Sequence, residues 1–108
     1  MELASVLTQD RFTVVDVADY RQALAKLHEF KPDMVIVGEV LPGEDSMEAC
    51  SRLHSTFGIP TILLGKDSGG EIWTKAVEAG ADLYLKKPFS YRELAARIRA
   101  ILRRYLSQ

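Results

Sequence analysis

Residues 32–43, Pro-Asp-Met-Val-Ile-Val-Gly-Glu-Val-Leu-Pro-Gly, hold an unbroken apolar run between two turn signals. Four apolar residues in a row at 34–37, two of them Val and one Ile, predict a strand buried on both faces. Such strands belong to parallel sheets, in which functional side chains follow the carboxyl ends of the strands. Gly38 ends this strand, so one of the two positions expected to carry a functional group has no side chain.

Working outward from this strand, the chain alternates between two kinds of apolar pattern. Further strands are predicted at residues 12–18, 60–64 and 83–86. Helices, several with capping boxes or glycine stops, are predicted at residues 3–9, 19–31, 45–58, 72–80 and 90–105. This alternation predicts one α/β domain over residues 1–108, with a doubly wound parallel sheet of four strands and helices on both faces.

The composition excludes several classes of protein. Fourteen Lys and Arg against fifteen Asp and Glu give a net charge of −1, which argues against a dedicated nucleic-acid binder. The N-terminus lacks the features of a secretion signal and no long apolar span follows, so a cytoplasmic protein is expected. The single cysteine, Cys50, is expected in the core, and the isolated His28 and His54 predict no metal site.

A second stretch, residues 78–89, reads Glu-Ala-Gly-Ala-Asp-Leu-Tyr-Leu-Lys-Lys-Pro-Phe. Together with residues 32–43 it resembles the receiver domains of two-component response regulators, and the pattern is most similar to their winged-helix transcription-factor branch. The resemblance implies a flavodoxin-like sheet with the strand order 2-1-3-4-5. It also implies that the chain begins after the family's first strand and after the acidic pair that binds the metal ion.

The missing strand would be an interior one, and three outcomes are open. The segment at residues 12–18 could pair directly with the strand at 34–38, a second chain could fill the gap, or the sequence could simply start late. Direct pairing is preferred, because an open gap inside a sheet leaves backbone groups without hydrogen bonds.

The resemblance implies a pocket that lacks the family's phosphoacceptor and switch hydroxyl. Its phosphoacceptor aspartate falls on Gly38, its switch hydroxyl on Gly65 and its phosphate-contacting lysine on Lys87. Lys87-Pro88 is expected to be cis, and Tyr84 matches the aromatic residue that moves on activation. Since Gly65 offers no hydroxyl, Tyr84 is expected to keep one conformation.

Glu39 follows the vacant acceptor position. Because side chains alternate along a strand, it is expected to point away from the pocket as a solvated loop acid. A fixed ion pair between Glu39 and Lys87, which would hold an active-like state, is the competing hypothesis.

The resemblance also implies a dimer face on the fourth helix, the last strand and the fifth helix. Residues matching that face are Trp73, Asp82, Leu83, Glu93, Arg97 and Arg104. Trp73 and Leu83 stand where the transcription-factor branch commonly carries a base and an acid. This exchange predicts a more apolar surface, since Trp is a preferred interface anchor. In the competing interpretation, Trp73 folds back onto its own helix.

The predicted function is therefore a phosphorylation-independent receiver-like signalling module, without enzyme activity or cofactor. It would assemble as a homodimer or with another signalling protein in signal or transcriptional regulation. A DNA-binding output domain would lie outside this chain. The alternative is a small-molecule or anion-binding domain that uses the pocket near Gly38, Gly65 and Lys87, where residues 65–70 are either an anion-binding or a flexible loop.

Overall fold

The computed structural model describes residues 3–9, 11–15, 17, 20–38, 46–65 and 70–106 of the chain. Within them lies a parallel sheet of three strands in the order β1 (Val35–Val37), β2 (Thr61–Gly65) and β3 (Leu83–Lys86). The helices are α1 (Leu3–Gln9), α2 (Tyr20–Phe30), α3 (Ser46–Arg52), α4 (Gly70–Glu78) and α5 (Tyr91–Leu106). Each strand is thus followed by a helix, as the alternating sequence pattern predicts.

The strand register sets which side chains share a face of the sheet. Ile62 of β2 pairs with Ile36 of β1 and with Leu83 of β3. The next residue of β2, Leu63, pairs with Val37 and Tyr84 in the same register. Because side chains alternate along a strand, every second residue of β2 points to the same apolar layer. The sheet therefore supplies side chains to two layers.

One layer lies beneath α2, α3 and α4, and the other beneath α1 and α5. The first contains Leu27, Val37, Cys50, Leu53, Ile59, Leu63, Ala76, Ala81 and Tyr84. The second contains Leu7, Ile62, Leu64, Leu85, Leu94, Ile98 and Ile101. This confirms the prediction of helices on both faces of a parallel sheet.

The described part of the predicted strand at residues 12–18 does not belong to the sheet. Residues 12–15 and 17, the described part of this segment, have no ladder partner. Instead, Phe12 and Val14 pack against the layer beneath α5, and the Phe12 amide donates a hydrogen bond to the Leu7 carbonyl oxygen over 3.1 Å. Alternating apolar residues report burial, whereas a strand also needs a neighbouring edge with which to pair. The described sheet therefore has three strands rather than four, without the expected pairing to β1.

The predicted third helix is divided into two parts. α3 ends at Arg52, and Leu53–Phe57 continue as a π-helical turn. Gly58 ends this turn with a φ of 61°, and its amide donates a hydrogen bond to the His54 carbonyl oxygen. The glycine stop is thus confirmed, because the left-handed conformation at this position favours glycine. Asp19 and Asp45, at which the second and third helices are predicted to begin with capping boxes, lie outside the described residues.

Candidate functional site

The carboxyl ends of the three strands meet at one edge of the sheet. Gly38 directly follows β1, Gly65 is the last residue of β2, and Lys87 directly follows β3. The Lys87 amide donates a hydrogen bond to the Gly65 carbonyl oxygen over 2.7 Å. Three of the predicted pocket residues therefore share the edge at which parallel sheets place their functional groups.

Among the described residues, few side chains lie at this edge. Gly38 is half-buried, and Lys87 is exposed. The peptide bond between Lys87 and Pro88 is cis, as predicted. Glu39 lies outside the described residues, as does most of the loop at residues 65–70, so the ion pair between Glu39 and Lys87 remains a prediction.

Tyr84 fills space beside Gly65. The residue is 9% exposed and belongs to the layer beneath α2, α3 and α4, together with Leu63 and Ala76. A Cβ atom placed on Gly65 would lie against the Tyr84 hydroxyl and 2.7 Å from the ring atoms Cε1 and Cζ. The aromatic ring therefore occupies the volume that a side chain at position 65 would need.

The described residues of this edge include no carboxylate at the position expected for a phosphoryl acceptor. Phosphoryl transfer to a carboxylate needs that acceptor and a divalent cation held by carboxylate oxygens. Gly38 provides no carboxylate. Across residues 3–9, 11–15, 17, 20–38, 46–65 and 70–106, no group of three or more His, Cys, Asp or Glu side chains could hold a metal ion.

The predicted dimer face contains a hydrogen-bond network centred on Asp82. Its Oδ2 accepts the amide hydrogen of Thr61 over 2.8 Å, and its Oδ1 accepts the Tyr105 hydroxyl hydrogen over 2.6 Å. The Asp82 amide in turn donates to the Thr61 carbonyl oxygen over 2.8 Å. Asp82 therefore connects the start of β2 to the end of α5 within one chain, a role that the sequence did not predict.

The Asp82 carboxylate also changes the acidity of its partner. The hydrogen bond raises the pKa of Tyr105, because the carboxylate favours the protonated phenol. In the core, burial raises the pKa of the Cys50 thiol from 9.0 to about 11, because a thiolate is poorly solvated there. Cys50 is thus a core residue, as expected.

The remaining residues of the predicted face differ in exposure. Glu93, Arg97 and Arg104 lie on α5 with exposed side chains. Leu83 is only half-buried at the surface and packs against the layer beneath α5, so much of its apolar area is already covered within the chain. The Trp73 backbone belongs to α4, but its side chain is outside the described part of the structure.

Two residues of this face escaped the sequence analysis. Val77 of α4 is 44% exposed, one helical turn after position 73. That spacing was a usable signal, because residues four apart lie on the same side of a helix. Tyr105 is predicted only as the last residue of the helix at residues 90–105, although a buried tyrosine hydroxyl usually needs a hydrogen-bond partner.

The family model for the response regulator receiver domain matches residues 1–99. The chain belongs to the receiver-domain family of response regulators. The DNA-binding response regulator MtrA of Mycolicibacterium paratuberculosis is 36% identical to this receiver over 102 residues, which cover 94% of the chain. MtrA of Mycobacterium tuberculosis has the same identity and coverage. The receiver spans 45% of the length of these two curated relatives.

Solved structures agree with this assignment. The BeF3-activated N-terminal receiver domain of Klebsiella pneumoniae RstA has a TM-score of 0.87 and 30% identity to this receiver, and the match covers 94% of this chain and 86% of the other. A two-component response regulator from Clostridium difficile has a TM-score of 0.88 at 23% identity, covering 95% of this chain and 85% of the other, and shows the shared fold alone. None of the described helices of this receiver combines the length and apolar character that spanning a membrane requires.

Proposed function

We propose that this receiver works without phosphorylation at the usual position, as a protein-assembly module in signal or transcriptional regulation. The observation that carries the proposal is Gly38. It stands directly after β1, at the same edge as Gly65 and Lys87, and the resemblance implies that the family's phosphoacceptor aspartate falls on it. A glycine cannot accept a phosphoryl group, so the state of this receiver is set by its partners.

The proposed assembly is a homodimer through α4, β3 and α5. Val77 contributes exposed apolar surface to α4, and Glu93, Arg97 and Arg104 contribute charges of both signs to α5. Apolar contacts surrounded by ion pairs are the usual composition of such an interface. Trp73 and Leu83 remain proposed contacts, and Asp82 supports the face from within by fixing the end of α5.

The curated relatives suggest an output. MtrA is named a DNA-binding response regulator, and this receiver spans 45% of its length. We therefore propose that the domain regulates a DNA-binding output domain, in the cytoplasm. No enzyme activity of its own is proposed, since Lys87 has no acceptor carboxylate at position 38 to act with.

The alternative function, a small-molecule or anion site near Gly38, Gly65 and Lys87, has less support. The Tyr84 ring already fills the space beside Gly65, which leaves less room for a ligand at that end of the edge. The exposed Lys87 ammonium could attract an anion, but an exposed cation alone gives weak binding.

Sedimentation of the chain over a wide concentration range, with and without Mg²⁺ and beryllofluoride, tests the proposal. We expect a dimer whose dissociation constant is the same in both solutions. The Gly38→Asp variant is the matched control, because it restores a carboxylate at the acceptor position alone. A chain that dimerises only when beryllofluoride is present would show that a working phosphate site survives, and a monomer in every solution would exclude the homodimer.

A further inference from the structure

The contact between Gly65 and Tyr84 has a feature that concerns conformation rather than assembly. Gly65 has an ordinary strand conformation, since its φ lies outside the left-handed region, in contrast to Gly58 and Gly80. The backbone at position 65 therefore does not require glycine. Alanine could adopt the same dihedral angles at no cost, so the surroundings are what exclude a side chain.

Those surroundings are the Tyr84 ring. A Cβ atom on Gly65 would meet the Tyr84 hydroxyl oxygen and two Tyr84 ring atoms, both of the latter at 2.7 Å, where real Cβ contacts essentially never occur. Both residues are held by the ladder that pairs Leu63 with Tyr84 and Gly65 with Lys86. The backbones thus have little freedom to separate, and a side chain at position 65 would have to displace the ring.

We infer that Gly65 and Tyr84 form a steric lock, in which the missing side chain at position 65 is what allows the Tyr84 ring to lie inside the layer beneath α4. Position 65 is the determinant of the ring position, because the ring stays buried only while that position has no Cβ atom. The lock belongs to this chain's own packing and does not rest on the proposed assembly.

The lock predicts that adding one methyl group moves the ring. In Gly65→Ala, we expect Tyr84 to leave the layer, and the melting temperature to fall by about 5–15 °C, as overpacking a small core does. In a Tyr84→Ala background the obstacle is gone, so adding Gly65→Ala should leave the melting temperature nearly unchanged. This non-additivity is specific to the pair.

The experiment uses the chain labelled with fluorotyrosine at its four tyrosines, with Tyr84 assigned by the Tyr84→Phe variant. Fluorine spectra report the ring environment, and thermal melts report the stability of each single and double variant. Gly58→Ala is the control, since it strains a backbone with a φ of 61° where a Cβ would have no neighbour within 4 Å. It should lower the melting temperature without moving the Tyr84 resonance.

Three results would overturn the lock. The first is a Gly65→Ala protein with an unchanged Tyr84 resonance and melting temperature. The second is an equal loss of stability with and without the Tyr84 ring. The third concerns a Gly65→Ala protein that does not fold. The Gly65→Ala/Tyr84→Ala double variant should then fold, and a double variant that also fails to fold would show that the ring is not the obstacle. Sedimentation of the same variants measures dimerisation independently of the Tyr84 ring position. The steric lock and the proposed homodimer can therefore be disproved separately.

Discussion

The Tyr105 hydroxyl donates a hydrogen bond of 2.6 Å to the Asp82 carboxylate, which ties the last turn of α5 to the loop before β3. The other oxygen of the same carboxylate accepts the amide hydrogen of Thr61 at the start of β2. Three elements that are distant in sequence therefore share one acceptor group. The α5 end of the proposed dimer face is positioned by this group.

Replacing Tyr105 by Phe should lower the free energy of unfolding by about 1 kcal/mol, because one hydrogen bond to a charged acceptor at a partly exposed site is lost. Asp82→Ala should cost more, since it also leaves the Thr61 amide without its acceptor. Asp82→Asn is the matched control because its amide oxygen can still accept one of the two hydrogen bonds. Urea denaturation of the three variants and the Tyr105→Phe/Asp82→Ala double variant measures the coupling. Fully additive losses would argue against the network.

The first turn of α5 is capped by Ser90, whose Oγ accepts the amide hydrogen of Glu93 over 2.9 Å. Removal of this oxygen in Ser90→Ala should lower the free energy of unfolding by about 1 kcal/mol, the usual cost of losing an N-cap. Ser90→Asp retains an acceptor and should keep most of the stability. The measurement is urea denaturation followed by circular dichroism. Equal stability of the alanine and aspartate variants would contradict a capping role.

Alkaline pH should destabilise the fold through Cys50. Its pKa rises from 9.0 to about 11 on folding, so the unfolded chain loses the thiol proton first. The stabilisation is complete below pH 9 and is lost as the pH rises to about 11, with a limit of roughly 3 kcal/mol for a shift of this size. Tyr105 acts in the same direction at higher pH, because its pKa is also raised.

Urea denaturation midpoints measured from neutral pH to about pH 11 test this fall in stability. Cys50→Ala should reduce the loss of stability between about pH 9 and pH 11. Tyr105→Phe should reduce the loss of stability at the alkaline end of this range. The thiol should also resist alkylation until the protein unfolds, because it is buried in the core. Rapid alkylation under native conditions would contradict the buried position.

Val77 and Val15 provide a matched pair for the proposed interface. The two side chains are almost equally exposed, at 44% and 45%, but Val77 lies on α4 and Val15 precedes α2. Lysine at either position should change the stability little, since both sites face solvent. Only Val77→Lys should raise the dissociation constant of the dimer in sedimentation. If the two variants change the dissociation constant equally, or not at all, α4 is not part of the interface.

Much of the fold follows from local sequence. The strand predicted at residues 83–86 is found at Leu83–Lys86, and the one predicted at 60–64 is found at Thr61–Gly65. Ser90 caps α5, and Gly58 ends the helical segment before β2. Apolar periodicity, caps and left-handed glycines act over a few residues, so they can be recognised before the fold is known.

The candidate site was only partly predictable. The positions of Gly38, Gly65 and Lys87 at one edge follow from the sequence, because parallel strands bring their carboxyl ends together. The fourth strand predicted at residues 12–18 is absent from the described sheet. Apolar alternation indicates which residues are buried, but it does not indicate whether a neighbouring strand is available for pairing. Similarly, the π-helical turn after Arg52 interrupts a segment whose periodicity predicts one continuous helix.

By itself, the sequence determined the family, the order of the elements after residue 20 and the absence of a carboxylate at position 38. Only the tertiary structure decided that the Tyr84 ring fills the space beside Gly65, and that Asp82 binds Thr61 and Tyr105. These contacts join residues 19 to 23 positions apart. Their geometry depends on strand register and helix docking, which arise from the packing of the whole domain rather than from any local pattern.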